Sequence, residues 1–207
     1  MTLTFYTNPQ SRGRIARWML EEVGQPYDTV MLGYDGAMKA EDYRAVNPMG
    51  KVPAIVHDGR VVTETAAICA YLADMFPETR LAPITPEEKA NYYRWMFFAA
   101  GPVEAAVTNR SLKVEPTAEQ QIMAGYGSFD LTMDVLEQAI VRHPFVAGDR
   151  FTAADVYVGS GVGWYTRFGM LPKSAAFDAY LERIESRPAY KRAGDLDDAA
   201  KAAAEVS

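Results

Sequence analysis

The spacing of apolar residues changes character near residue 76. Before that point, short β-branched and aromatic runs alternate with segments of helical period. After it, only the helical period persists. "LTFYT" (3–7) predicts a first strand by composition. Ile15 to Val23 follows with apolar residues at 15, 18, 19, 20 and 23, the spacing of an amphipathic helix, and Gly24 can take the left-handed cap conformation. "YDTVML" (27–32) predicts a second strand, whereas "GAMKAEDYRAV" (36–46) fits a short helix or an irregular segment. "VPAIVHDGRVVT" (52–63) predicts a hairpin turning at Asp58-Gly59. "ETAAICAYLADMF" (64–76) predicts a helix with apolar residues at 68, 71, 72, 75 and 76. The order β-α-β-(α)-β-β-α is that of a small α/β layer.

The two prolines of "PETRLAP" mark the start of a linker, placed at 77–86. Thr85-Pro86-Glu87-Glu88 then joins an N-cap, a proline at the first helical position and a glutamate at the third. A long helix to about Ala106 is expected, with a break or kink at Gly101-Pro102. A second helix is expected over 117–142, a third from the box Thr152-Ala153-Ala154-Asp155, and a fourth over 175–187, stopped by Pro188. The alanine-rich tail "DDAAKAAAEVS" has helix propensity but little to bury, so it is expected to fray. The prediction is α/β plus all-α: residues 1–76, a linker at 77–86, and a helical domain over 87–207.

Composition narrows the function. With 49% hydrophobic and 23% charged residues, the chain of 207 has the balance of a globular protein. A net charge of -6 argues against a nucleic-acid or anionic-membrane surface. No apolar run approaches the length of a membrane span, and "MTLTFYTNP" lacks the basic and apolar regions of a secretory signal. Cys69 is the only cysteine, which fits a reducing, cytoplasmic setting. It sits mid-helix among small residues, where a buried structural thiol is the simple reading. One cysteine and two distant histidines, His57 and His143, supply no metal-ligand cluster, so no metal is expected. There is no Gly-rich phosphate loop and no serine elbow of the hydrolase type.

What remains is a binding constellation. "NPMGKVPAI" (47–55) puts a Val-Pro step at the head of a strand, where proline, lacking an N–H, wants an edge. By base rates the Val52–Pro53 bond would be trans. A cis bond would leave the Val52 backbone to an extended ligand. Glu64 and Thr65 open a helix, and either could be a plain cap or could hold a ligand's ammonium and carboxylate. Ser11 also precedes a helix. Arg12, Arg14 and Arg17 crowd that same helix start, although the helix dipole favours acids there.

Strand–Ser11–helix, "NPMGKVPAI", "ETAAI" opening a helix, a proline-bearing linker and a helical second half together resemble the cytosolic glutathione transferases, in the serine-type, theta- and delta-like branch. The resemblance covers nearly the whole chain. It implies a thioredoxin-like N-terminal domain followed by an all-helical C-terminal domain, a homodimer, a cytoplasmic detoxification role, and glutathione as co-substrate with no metal. It also implies that Pro53 is cis, that Val52 pairs its backbone with the cysteinyl part of glutathione, and that Glu64 and Thr65 hold the γ-glutamyl end. Lys51 and Lys39 become candidates for the glycine carboxylate, with Arg12 near the thiolate.

Such an enzyme stabilises a thiolate. A free cysteine thiol has a pKa of about 8.5, and lowering it by about 2 units is roughly 2.7 kcal/mol of differential stabilisation. Ser11 is the expected donor, Tyr6 the runner-up, and Asn8 a residue able to orient the thiol. Arg14 would add a background field, and Arg17, a turn further in, would pair with an acid such as Asp155. The absence of cysteine from this loop argues against a thiol-type reductase. A small apolar electrophile would meet the loop at 7–12 and the helix "NYYRWMFFAAGPVEAAV" (91–107), whose aromatics surround the helix instead of forming one stripe. Tyr92, Trp95, Tyr165 and Phe168 are the candidate walls. The expected activity is addition of the thiolate to an electrophile, or displacement on it. An isomerase, dehalogenase or peroxidase using the same thiolate, and a non-catalytic binding module, are the alternatives.

Overall fold

The computed structural model of the chain describes residues 1–206. It divides into two compact units, Met1–Thr79 together with the C-terminal segment from Ser186, and Arg80–Glu185.

In the first unit, β1 (Leu3–Thr7), α1 (Gly13–Val23), β2 (Asp28–Met31), α2 (Glu41–Val46), β3 (Ala54–His57), β4 (Arg60–Thr63) and α3 (Thr65–Met75) follow one another, with a 3₁₀ turn at Ala37–Lys39. The strands form one sheet in the order β2-β1-β3-β4. β1 runs parallel to β2 and antiparallel to β3, and β3 pairs antiparallel with β4. Asp58 and Gly59 both take positive φ, 47° and 78°, as the tight hairpin turn requires. Side chains alternate along β1. Phe5, 0% exposed, meets the Arg17 guanidinium of α1, while Tyr6 faces a cluster of Met38, Tyr43 and Ala54 on the other side. Helices on both faces of this mixed four-stranded sheet make the unit thioredoxin-like.

The segment 36–46, ambiguous in sequence, is a 3₁₀ turn followed by a short helix. The larger departure is the C-terminus. Pro188 does more than stop a helix; it opens α10 (Pro188–Val206), which packs on α1. The anchor includes charge, an aromatic contact and the buried Ala189 and Ala193. Among the described residues three ion pairs join α1 to α10, Arg14–Asp198, Arg17–Asp197 and Glu21–Arg192, and Arg187, just before α10, pairs with Glu22. Trp18 meets Tyr190 edge-on at 4.9 Å. The expected fraying therefore fails for the described part of the tail, and Asp197 is fully buried. Ser207 lies outside the described residues. The segment from Ser186 groups with the N-terminal unit, whereas the sequence reading runs the helical domain over 87–207.

The second unit holds α4 (Pro86–Phe98), α5 (Glu104–Ser111), α6 (Ala118–Met123), α7 (Phe129–Arg142), α8 (Ala153–Arg167) and α9 (Ala175–Glu185). Thr85 caps α4 by accepting from the Glu88 N–H at 3.1 Å, with Pro86 at the first helical position. Gly101-Pro102 does not stop the helix. A π-helical turn over Ala99–Val103 absorbs the missing N–H and leads into α5. The expected single helix over 117–142 is two, because Gly127 takes φ 66° and Ser128 begins a new cap. α8 starts with the predicted capping box of Thr152 and Asp155. It runs close to α9 at Gly159, where a Cβ would stand 2.1 Å from the Ile184 side chain. Among the described residues no helix is long and apolar enough to cross a membrane.

Candidate functional site

The sheet register gathers the predicted residues at one end of the first unit. Tyr6 pairs with Ala54 and Ala54 with Thr63, so the end of β1, the head of β3 and the end of β4 lie side by side. The loop carrying Asn8 and Ser11 leaves β1 there, Val52–Pro53 enters β3 there, and Glu64–Thr65 leaves β4 there. The Val52–Pro53 peptide bond is cis. The β1–β3 register ends at the Tyr6–Ala54 pair, so Val52 stands beyond the ladder, half-buried.

Ser11 does not act as the simple helix cap that its position suggests. α1 begins at Gly13, and the cap position is Arg12, whose side chain makes no cap bond. The Ser11 hydroxyl donates to the Asn8 carbonyl at 2.7 Å and accepts from the Gly13 N–H at 2.9 Å. The hydroxyl thus sits at the start of α1, where the N-terminal peptide dipoles favour an anion. Asn8 is engaged at both ends: its amide donates to the Leu32 carbonyl at 2.8 Å, and its oxygen accepts from the Gln10 N–H at 2.9 Å. Tyr6 packs its ring on Tyr43 with centroids 5.4 Å apart.

The cations of α1 separate by partner. Arg14 Nη1 lies 2.8 Å from Asp198, and Arg17 Nε lies 2.8 Å from Asp197. Arg17 therefore pairs with α10 and not with Asp155. Asp155 instead accepts from the Val146 and Thr152 N–H groups and from the hydroxyls of Thr152 and Tyr180. Arg12 is exposed.

Glu64 is exposed and takes φ 65°, ψ 117°, an unusual backbone for a residue with a Cβ, and Thr65 behind it is buried. Lys51 is exposed. Lys39 directs its Nζ at two backbone carbonyls, Met49 at 3.0 Å and Gly50 at 2.8 Å. The sequence reading missed Tyr43, whose hydroxyl donates to the Lys51 carbonyl at 2.6 Å, and the side chain of Asn47, which donates to that same carbonyl at 2.7 Å. A tyrosine four residues before "NPMG" was the available signal.

In the second unit, Tyr92 and Trp95 are core residues, 2% and 7% exposed. Tyr165 donates to Glu104 at 2.7 Å, and Phe168 is exposed. A cavity of about 640 Å³ lies beside Phe168, between Val107, Ser111, Phe129 and the turn Gly169–Pro172. None of the four candidate walls lines it. Cys69 is fully buried, and burial pushes its thiol pKa far up, away from reactivity. Among the described residues no group of three or more His, Cys, Asp or Glu is placed to hold a metal ion.

With this geometry in view, known proteins give the family. The model of the glutathione S-transferase N-terminal domain matches residues 12–75. Glutathione S-transferase GstA of Escherichia coli O157:H7 is 30% identical over 151 residues, covering 72% of this chain and 74% of that protein. Glutathione S-transferase A of Pleuronectes platessa is 29% identical over 202 residues, covering 92% and 89%. Among solved structures, the theta class glutathione S-transferase of Xanthomonas axonopodis pv. citri, with glutathione bound, superposes with a TM-score of 0.74 at 28% identity, covering 93% of this chain and 96% of that one. The chain belongs to the glutathione S-transferase family and is an enzyme of it.

Proposed function

We propose that the protein binds glutathione at the gathered end of the sheet, activates its thiol as a thiolate, and joins the sulfur to an apolar electrophile. The observation that carries this reading is the Ser11 hydroxyl at the start of α1, on the same sheet end as Val52–Pro53 and Glu64–Thr65. Val52 offers a backbone free of the β1–β3 ladder to the cysteinyl residue. Glu64 and Thr65 take the γ-glutamyl ammonium and carboxylate, and Lys51 the glycine carboxylate.

Ser11 is the donor best suited to the sulfur. Asn8 is committed to Leu32 and Gln10, and Tyr6 to the Tyr43 face. To reach the sulfur, the Ser11 hydroxyl exchanges the Asn8 carbonyl for an anion. A hydrogen bond to an ionised acceptor is roughly twice as strong as a neutral one. Arg14 and Arg17 are answered by aspartates of α10, so the helix N–H groups supply the field at the sulfur. In the reaction the thiol proton passes to solvent. The sulfur electron pair forms the new C–S bond, and either a leaving group departs or solvent protonates the adduct.

A homodimer belongs to the same reading. Tyr93 and Phe97, one helical turn apart on α4, are 49% and 73% exposed while Tyr92, Trp95 and Met96 face the core. A helix apolar on two faces has a second partner to cover.

Ultraviolet absorbance of the bound thiolate across pH tests the central claim. The wild type is expected to hold the thiol about 1–2 units below the free value of about 8.5, and Ser11→Ala to give up most of that shift. An unchanged profile in Ser11→Ala would move the role to another group, and no glutathione binding at millimolar concentration would end the reading.

A further inference from the structure

Three successive carbonyls, those of Met49, Gly50 and Lys51, are each gripped by side chains from the 3₁₀ turn, from α2 and from Asn47 at its C-terminal cap. Lys39 Nζ takes Met49 and Gly50 at 3.0 and 2.8 Å, and Lys51 receives both Tyr43 Oη at 2.6 Å and Asn47 Nδ2 at 2.7 Å. Asn47 also ties the turn from the other side. Its side-chain oxygen accepts from the Met49 N–H at 3.1 Å and its carbonyl from the Gly50 N–H at 2.7 Å. Tyr43 and Asn47 are each 4% exposed, so these bonds are shielded from competing water. The loop they hold ends at Val52.

A carbonyl oxygen has two lone-pair directions, and two donors on one oxygen fix its orientation where a single donor leaves it a swing. The Lys51–Val52 peptide is planar and trans, which puts the Val52 N–H on the side opposite the Lys51 oxygen. Holding that oxygen toward α2 therefore aims the Val52 N–H away from α2. Tyr43 stays a neutral donor throughout the physiological range, since burial pushes its pKa up to about 12. Its ring, stacked at a tilt on Tyr6, joins this clamp to the end of β1.

We propose that Tyr43 and Asn47 are positioning residues for glutathione, acting through the Lys51 carbonyl to present the Val52 backbone, and that Lys39 belongs to the same clamp and does not serve as a carboxylate ligand. This rests on the glutathione reading of the site. The residues touch the ligand's docking strand and not the sulfur, so they set affinity and leave activation alone.

The test uses Tyr43→Phe, which keeps the ring in its Met38–Ala54 cluster and removes only the hydroxyl, together with Asn47→Ala, Lys39→Met and the Tyr43→Phe/Asn47→Ala double variant. Glutathione affinity is read by calorimetry and the bound thiol pKa by ultraviolet titration. Tyr43→Phe is expected to weaken glutathione about threefold to tenfold, the range for loss of one hydrogen bond, with thiol pKa and kcat at saturating glutathione unchanged. The double variant is expected to lose more than the product of the single losses, because only then is the buried carbonyl left without a donor. Lys39→Met is expected to weaken glutathione and its desthiol and glycine-amide analogues by the same factor; a loss confined to ligands with the glycine carboxylate would return Lys39 to the ligand set. Tyr43→Phe with wild-type affinity, or with a shifted thiol pKa, overturns the inference while leaving the site intact. A wild type that binds no glutathione overturns the site itself.

Discussion

Gly13 sits where a side chain would be crowded. A Cβ there would stand 2.0 Å from the Thr7 hydroxyl, 3.0 Å from the Ser11 hydroxyl and 3.2 Å from the Asn8 carbonyl. Thr7 is fully buried, and its hydroxyl has no hydrogen-bond partner among the described residues. Gly13→Ala is therefore expected to cost about 1–3 kcal/mol, as overpacking does, and to push the Ser11 turn out of place. Chemical denaturation reads the loss. Adding Thr7→Ala should recover part of it, since the threonine hydroxyl contributes no bond. The glycine was visible in sequence but its reason was not, because Thr7 and Gly13 meet only when β1 and α1 pack. The three arginines at the start of α1 have a comparable history. Their cationic crowding was legible, and two of the three answers, Asp197 and Asp198, stand about 180 residues away.

At the scale of elements, the C-terminal segment of Arg187 and α10 is held by ion pairs set in antiparallel order, from Arg14–Asp198 at one end to Glu22–Arg187 at the other. Asp197 is buried, and desolvation raises its carboxyl pKa while Arg17 opposes. Breaking a buried pair strands one charge, so Asp197→Ala is expected to destabilise the protein by about 3–5 kcal/mol in urea unfolding. A loss below about 1 kcal/mol would show that α10 is not anchored through this pair. At the start of α8, burial pushes the Asp155 carboxyl from 3.8 up to about 6 against its four donors. The folded state thus holds the proton more tightly than the unfolded chain. This group's contribution is fullest below pH 4, falls as pH rises from about 4 to 6, and differs by about 3 kcal/mol across that window. Other carboxylates titrate nearby: Glu88 is held low by Arg150. The clean readout is therefore the difference between wild type and Asp155→Asn. That difference should change with pH through the window and stay flat above about 7.

At the scale of the molecule, assembly is the property the chain leaves to its surface. Phe97 is 73% exposed on a helix whose opposite side is core. Phe97→Asp is expected to shift a dimer toward monomer in sedimentation equilibrium at micromolar protein, with the far-ultraviolet circular dichroism unchanged. A monomeric wild type would remove assembly from the proposal.

The sequence by itself determined the local grammar. Alternating strand and helix periods, the Asp58-Gly59 turn, the Thr85 and Thr152 caps, and the order of Ser11, Val52–Pro53 and Glu64–Thr65 all depend on neighbours within a few residues, so the chain displays them directly. The tertiary structure decided what depends on distant partners. It paired Arg14 and Arg17 with α10, turned a tail with little to bury into a buried contact, and brought Tyr43 and Asn47 onto the Lys51 carbonyl ahead of β3. Hydrophobic period marks which face is covered, but hydrogen bonds and ion pairs across the fold leave no period to read.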